Sequence, residues 1–330
     1  MRIKYQKLED FSEQMKKYFL TGSLAACVSS VLISNQAFAA NLSLYGAGSL
    51  RNALTEVSQD FTQETGIGTN TVFGPSGIRE QAIETELQLG QPTADVFASA
   101  DIGNPQKLYI KGLSSQPVEF TQNQIVAVFS SKYSQVKIAP NQVLDYLLNP
   151  NIKLGIATPI LDPLGDYTQQ IFTQANSKNP GRFDTLNSKA LQLTGGTNSP
   201  IVPSGQDSLV YFLNKTQQAD VFLSYYTGAI ASQKIDPSLQ VVGLPDYLSV
   251  AAPFGLTVIK NADPNAQKLA DYILSEKGQQ ILHKYGFTSP TKSVPEPNYV
   301  WGLLLAATIG LALNKKLAEP KQKIQVENLG

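Results

Sequence analysis

The 330-residue sequence contains only one cysteine and one histidine. A single thiol cannot form an internal disulfide, and no cysteine pair is available to hold a metal. His283 lies near the end of the chain, far in sequence from every serine-containing turn, and no Gly-x-Ser-x-Gly or His-Glu-x-x-His motif occurs. These absences argue against catalysis, so we expect a protein that is not an enzyme and has no cofactor.

An excess of basic residues is also missing. The whole chain has 26 Lys and Arg against 26 Asp and Glu, and residues 41–290 have 16 against 20, a net charge of minus four. A nucleic-acid-binding protein should present a basic face. We therefore expect no nucleic-acid partner. A hydrophobic content of 42% with 16% charged residues is instead typical of a packed globular protein.

The N-terminal segment predicts export. Five basic residues within the first 17 are followed by an apolar run at 18–33 and by the small residues Ala37 and Ala39, the pattern of a secretory signal peptide. We predict a signal peptide over residues 1–39, loss of the cysteine with it, and a mature protein in the periplasm or at the cell surface. An alternative is a lipoprotein signal, because Leu24–Cys27 resembles a lipobox and Cys27 would then carry lipid.

Short apolar runs alternate with helical periodicity between residues 42 and 290. The run Leu42–Ala47 predicts a strand, and the apolar residues at 50, 53, 54, 57 and 61 predict a helix after it. This alternation is typical of an α/β fold with a largely parallel sheet. Further strands are predicted at 69–73, 95–98, 124–129, 153–157, 221–225 and 252–259, and helices at 78–89 and 264–285.

The tripeptide Pro-Ser-Gly occurs twice, at 75–77 and 203–205, and each copy precedes a predicted helix. In parallel α/β sheets, ligands bind beyond the carboxyl ends of the strands, where helix N-termini offer free N–H groups and a positive dipole end. Serine adds a hydroxyl donor there, and glycine allows close approach. Ser49, Ser76 and Ser204 all occupy such predicted turns, which favours an anion site. The alternative for each is a serine that only caps its helix.

Longer segments resemble the periplasmic molybdate-binding proteins, which are the solute receptors of molybdate and tungstate ABC transporters. The resemblance covers roughly residues 42–290. It implies a type II periplasmic binding protein with two α/β lobes around a ligand cleft, in which residues 40–122 plus 250–290 would form lobe 1 and residues 123–249 lobe 2. The matching segments are 46–66, 72–108, 158–172, 217–230 and 262–287.

The resemblance also implies which groups bind a tetrahedral oxyanion such as molybdate or tungstate. Such an anion offers only acceptors, so neutral donors suffice. A site without an acceptor would disfavour hydrogen phosphate, whose proton would stay unpaired at a cost of about 1 to 3 kcal/mol. No metal is expected beyond that of the oxyanion. The implied groups are the hydroxyls of Ser49, Ser76 and Tyr225 and the backbone amides of Leu164 and Gly205, with Ser204 as an alternative donor beside Gly205.

Two residues depart from the family pattern. We expect Arg51, in the first turn after Ser49, to point to solvent; if it faces the cleft, a different or more highly charged anion is indicated. Asp166 must turn away from a bound anion or coordinate its metal centre. The leading prediction is a monomeric extracytoplasmic receptor for molybdate or tungstate that serves an ABC permease. The alternatives are a receptor for sulfate or phosphate and a surface-anchored structural or adhesive protein.

The C-terminal segment, residues 291–330, resembles the PEP-CTERM sorting signal that exosortase-type enzymes process. The motif Pro295–Pro297 precedes an apolar run at 299–313 and the basic pair Lys315 and Lys316. Fourteen further residues follow, which departs from that signal. The alternative is a simple membrane anchor, although a relaxed span needs about 20 apolar residues. Both interpretations predict contact with a membrane, and whether the segment is cleaved stays open.

Overall fold

The computed structural model describes residues 41–290, in which nine strands form one sheet. The strands are β1 Leu42–Ala47, β2 Thr69–Gly74, β3 Val96–Ser99, β4 Val118–Phe129, β5 Leu154–Ala157, β6 Ala190–Thr194, β7 Val221–Tyr225, β8 Gln240–Gly243 and β9 Ala251–Val258. Their order across the sheet is β2-β1-β3-β9-β4-β7-β5-β6, and β8 also pairs with β4. We call β1, β2, β3 and β9 the first half of the sheet, and β5, β6, β7 and β8 the second half.

Helices follow most of the strands, as expected of an α/β fold. They are α1 Arg51–Thr65, α2 Ser76–Gln88, α3 Gly103–Ile110, α4 Val143–Leu148, α5 Pro163–Lys178, α6 Arg182–Lys189, α7 Ser208–Val210, α8 Tyr226–Ile235, α9 Ala266–Leu274 and α10 Glu276–Lys284. A 3₁₀ turn, Gly48–Leu50, leads into α1, and α7 continues as a π-helical turn, Tyr211–Lys215.

The sheet is mixed, which corrects the expectation of a largely parallel one. The pairs that involve neither β4 nor β9 are parallel: β1 with β2 and β3, and β5 with β6 and β7. The pairs that involve β9 or β4 are antiparallel: β3 with β9, and β4 with β7, β8 and β9. The apolar pattern of a strand does not record its direction, so the sequence could not show that these two strands run against their neighbours.

β4 joins the two halves of the sheet. Its first part, through Gln124, pairs with β9, and its last part, from Ile125, pairs with β7. The sequence predicted only the last part, because the first part is rich in polar residues. Two of those residues are buried with hydrogen bonds: Thr121 Oγ1 donates to the Thr288 oxygen at 2.9 Å, and Asn123 Nδ2 donates to Thr227 Oγ1 at 2.8 Å.

Burial explains the elements that were predicted. Every residue of β3, β5 and β7 is buried, as in strands covered on both faces. The predicted apolar face of α1, which includes Val57 and Phe61, is buried against α9 and α10. The helical stretch predicted at 264–285 consists of two helices, and the hydroxyl of Ser275 caps the second, α10, by accepting a 3.3 Å hydrogen bond from the Gly278 amide.

The signal peptide at 1–39 and the sorting segment at 291–330 lie outside the described residues and stay predictions. No helix within residues 41–290 is long and apolar enough to cross a membrane. The predicted lobe boundaries, at 122/123 and 249/250, also stay a prediction.

Candidate functional site

A cavity of about 690 Å³ lies between the two halves of the sheet. Its wall includes the turn between β1 and α1, the start of α2, the start of α5, the end of β6 and the end of β7. Parallel strands end at this edge, so helix N-termini of both halves meet there. Four of the five residues that the resemblance implied line the cavity: Ser49, Ser76, Leu164 and Tyr225.

Ser49 lines this cavity and has an unsatisfied hydroxyl. The residue lies within the 3₁₀ turn Gly48–Leu50, and the N-cap position of that turn is Ala47 rather than the serine. Its Oγ is buried and has no hydrogen-bond partner among residues 41–290. Ser49 therefore does not cap its helix with its side chain, and its hydroxyl is left without a partner among residues 41–290.

Ser76 is the first residue of α2 and is only 1% exposed. Pro75 occupies the N-cap position, so the serine side chain does not cap the helix. Its Oγ accepts a 3.0 Å hydrogen bond from the Ala100 amide. Because a hydroxyl can accept and donate at once, this bond leaves the Ser76 proton free to donate into the cavity.

Gly77 shows why glycine follows this serine. Its amide donates to the Leu161 oxygen at 3.1 Å, in the loop that leads to α5. An added Cβ at Gly77 would lie 2.6 Å from the Ile160 oxygen, closer than real side chains allow. The first Pro-Ser-Gly copy is therefore docked by its backbone onto the opposite wall of the cavity.

Tyr225 ends β7 and is 5% exposed. Its hydroxyl donates a long hydrogen bond, 3.4 Å, to the Ala100 oxygen, so the backbone of Ala100 contacts both Ser76 and Tyr225. Burial, followed by nearby acids of which Asp162 is the first, raises the pKa of Tyr225 well above its ordinary value. The phenol is therefore a neutral donor at physiological pH.

The start of α5 carries an acid that the sequence analysis missed. Asp162 lines the cavity, and its Oδ1 accepts a 3.0 Å hydrogen bond from the Leu164 amide, the donor that the resemblance assigned to a ligand. Burial raises the pKa of Asp162 to about 6, although the Leu164 hydrogen bond acts in the opposite direction. An aspartate followed by proline is a typical helix start, so the cap itself could have been found from the sequence.

The structure does not bring Ser204 and Gly205 to the cavity. Both are exposed in a turn, where Gly205 has φ +77° and the Gln206 amide donates to the Pro203 oxygen at 3.1 Å. The cavity wall is formed slightly later in the chain, by Asp207, Ser208 and Leu209. Helix α7 begins at Ser208, and the Asp207 carboxylate caps it by accepting a 3.0 Å hydrogen bond from the Val210 amide.

Arg51 and Asp166 take different positions. Arg51 lines the rim of the cavity and is exposed; its guanidinium lies 5.1 Å from the centre of the Phe73 ring and donates to the Phe73 oxygen at 3.4 Å. Asp166 turns away: its Oδ1 accepts a 2.8 Å hydrogen bond from the Ile160 amide, and it lines a separate cavity of about 320 Å³. Of the two, only Arg51 is placed to meet a ligand in the main cavity.

Neither histidine nor a metal cluster contributes to the cavity. The ring Nδ1 of His283 lies 3.0 Å from the Phe287 oxygen in the turn after α10, and His283 does not line the wall. Within the part of the chain that the structure describes, no three His, Cys, Asp or Glu side chains are grouped so that they could hold a metal ion. The wall is composed mainly of neutral donors and apolar groups, with Asp162 and Asp207 as its acids.

Two α/β halves that share a long strand and enclose such a cavity define a type II periplasmic binding protein. The chain belongs to the family of bacterial extracellular solute-binding proteins, whose family model matches residues 42–288. Members of this family bind a solute outside the cytoplasm, which agrees with the export that the N-terminal sequence predicts.

Three proteins that are similar to this chain differ in what their names say they bind. An uncharacterized protein of Pasteurella multocida is 29% identical over 245 residues, covering 74% of this chain and 97% of that protein. The molybdate-binding protein ModA of Escherichia coli is 22% identical over 256 residues, covering 75% of this chain and 88% of ModA. The solved structure of the sulfate-binding protein SubI of Mycobacterium tuberculosis matches with a TM-score of 0.60 at 15% identity, covering 79% of this chain and 91% of SubI.

Proposed function

We propose that this protein captures a tetrahedral oxyanion outside the cytoplasm and delivers it to an ABC permease, with molybdate or tungstate as the first candidates. One observation carries the proposal: the hydroxyl of Ser49 is buried in the cavity wall without a partner among residues 41–290. An unpaired buried hydroxyl costs about 1 to 3 kcal/mol. An oxygen of a bound anion would accept its proton and remove that cost.

Two further hydroxyls support an all-acceptor ligand. Ser76 keeps its proton available after accepting from Ala100, whereas Tyr225 is held neutral by burial and would exchange its long hydrogen bond to the Ala100 oxygen, 3.4 Å, for one to the anion. Preorganised neutral donors of this kind stabilise negative charge without a counter-ion. The similarity to ModA supports molybdate or tungstate as the anion.

A second candidate is a receptor for sulfate or phosphate, and Asp162 favours phosphate. A carboxyl group in the cavity wall provides an acceptor, which removes the argument that hydrogen phosphate would leave its proton unpaired. The similarity to SubI supports sulfate in the same way. The adhesive alternative depends on residues 291–330, outside the described residues, and no feature of the cavity favours it.

Thermal unfolding of the purified protein with each anion tests the proposal. We would add molybdate, tungstate, sulfate or phosphate separately at about 1 mM. An anion with micromolar affinity should stabilise the protein by about 4 kcal/mol and raise the unfolding temperature by roughly 8 to 16 °C. No change with any of the four anions would contradict the proposed function.

A matched pair of variants then tests whether the rise in unfolding temperature comes from binding in this cavity. Ser49→Ala should reduce the shift, because it removes the unpartnered donor. Ser58→Ala is the control: Ser58 is 3% exposed in α1, its Oγ also has no partner among residues 41–290, and it does not line the cavity. Equal losses in the two variants would mean that the shift does not come from this site.

A further inference from the structure

Asp162 places a carboxyl oxygen at the wall of a cavity proposed to bind an anion. Its Oδ1 holds the Leu164 amide at 3.0 Å. Its Oδ2 rests against Gly195, where an added Cβ would lie 2.5 Å from it, and accepts no hydrogen bond among residues 41–290. The Oδ2 atom of Asp162 therefore remains as a hydrogen-bond acceptor for a ligand.

Within the described residues, no cation neutralises this carboxyl group. Asp162 is absent from the ion pairs found among residues 41–290. The charged groups that act on it are both acids, Asp166 in α5 and Asp101 after β3, while Tyr225 faces it from the end of β7. Asp207 adds a further acid to the same cavity wall.

The cations of the cavity lie elsewhere on its wall. Arg51 stacks on Phe73, and Lys284 pairs with Glu56 at 2.8 Å. Lys234 is exposed near the end of α8. None of these cations forms an ion pair with Asp162, and burial raises the pKa of this carboxyl group to about 6.

A dianion that enters this cavity at neutral pH would meet an ionised carboxylate. Two like charges in a partly desolvated site repel each other, and the usual result is that one of them takes a proton. A proton between the carboxyl oxygen and an anion oxygen removes one charge and forms a hydrogen bond. It also allows Asp162 to keep its hydrogen bond from the Leu164 amide.

We infer that Asp162 and the bound oxyanion share one proton, and that Asp162 thereby determines which anion is bound at a given pH. This inference rests on the proposed function. A fully deprotonated anion such as sulfate or molybdate binds with uptake of one proton from solvent; the proton resides on Asp162 and is donated to an anion oxygen. Hydrogen phosphate brings its own proton and donates it to the Asp162 carboxylate, so its binding takes up none.

The selectivity of the cavity should therefore depend on pH. Affinity for sulfate or molybdate falls as pH rises, because binding takes up a proton and the proton concentration of the solution decreases. Affinity for hydrogen phosphate does not fall in the same range. This reverses the argument from the sequence that a site without an acceptor would disfavour hydrogen phosphate.

Calorimetric titration measures the proton directly. The purified protein is titrated with sulfate, molybdate and phosphate at pH 8 in two buffers of different ionisation enthalpy, and the difference in heat gives the number of protons taken up. We expect about one proton for sulfate or molybdate and about none for phosphate. We also expect the affinity for sulfate or molybdate to fall about tenfold from pH 7 to pH 8.

Asp162→Asn is the matching variant, because asparagine caps helices as well as aspartate and keeps an acceptor for Leu164. It should bind sulfate or molybdate with no proton uptake and with an affinity that does not change between pH 7 and pH 8. The control is Asp166→Asn, which removes one charge from the same helix start outside the cavity. It should keep the uptake of about one proton.

Two results would overturn the inference in distinguishable ways. If the unmodified protein binds sulfate or molybdate with no proton uptake at pH 8, Asp162 does not share a proton with the anion. The inference is then wrong, whereas the proposed function is unaffected. If no anion binds to the unmodified protein or to Asp162→Asn, the proposed function itself is wrong and the inference falls with it.

Discussion

The two Pro-Ser-Gly copies share a tripeptide but not a structure. Ser76 begins α2 directly, is buried, lines the cavity and accepts a hydrogen bond from the Ala100 amide. Ser204 is exposed in a turn, and α7 begins four residues later at Ser208. The glycines differ as well, because Gly77 is in tight contact with the opposite wall whereas Gly205 has no neighbouring atom where a Cβ would stand.

This difference shows that the position of a helix start depends on the residues beyond the tripeptide. In the second copy Asp207 comes three residues after Ser204 and caps α7 through the Val210 amide. In the first copy the amide of Gly77 is fixed by the Leu161 oxygen across the cavity. A local motif therefore marks a donor only where tertiary contacts bring it to the site.

The largest expected difference between the copies is in anion affinity. Ser76→Ala should weaken binding roughly tenfold to hundredfold, because a hydrogen bond to a charged group contributes about 1.5 to 3 kcal/mol. Ser204→Ala should leave the affinity unchanged, since its side chain does not line the cavity. Calorimetric titration with the anion that stabilises the protein most measures both, and equal losses would contradict the assignment.

A second difference is expected in stability. Gly77→Ala should lower the free energy of unfolding by about 1 to 3 kcal/mol, because the new methyl group would overlap the Ile160 oxygen. Gly205→Ala should cost only about 1 to 2 kcal/mol, the cost of a left-handed backbone at φ +77° in open space. Urea denaturation gives both values. A neutral Gly77→Ala variant would mean that the two walls are not in close contact.

The smallest expected effect is a dependence of stability on pH. It arises from Asp162, at the end of the loop that accepts the Gly77 hydrogen bond. Burial raises the pKa of Asp162 to about 6, so between about pH 4 and pH 6 the folded protein holds a proton that the unfolded chain has released. Stability without ligand should therefore fall as pH rises through this range. Urea denaturation should show a loss larger by about 1 to 2 kcal/mol in the unmodified protein than in Asp162→Asn. If the stability of the two proteins changes in parallel with pH, the raised pKa of Asp162 is contradicted.

Much of the fold could be predicted because buried strands have continuous apolar sequences. The bounds of β1 and β7 agree with the prediction, since these strands combine buried apolar residues with few polar interruptions. The first part of β4 was missed because side-chain hydrogen bonds, such as that of Asn123 to Thr227, replace an apolar pattern. The mixed direction of the sheet was missed because it depends on pairing between distant segments.

The site was predictable only where a motif coincided with a tertiary contact. Ser49, Ser76 and Tyr225 line one cavity, as the resemblance implied. The role of Asp162 could not be seen from its helix-start sequence, because that sequence does not show which wall the carboxyl group joins. Its position beside Gly195 depends on how β6 and α5 pack together, so only the structure reveals an acid at the wall of this cavity.

The most direct test is a crystal structure of the protein grown with tungstate, whose metal is located by anomalous scattering. We predict one anion in the cavity, with oxygens within about 3 Å of Ser49 Oγ and Ser76 Oγ. An empty cavity at saturating tungstate, with no anion bound by either serine, would contradict the oxyanion site on which the proposed function rests.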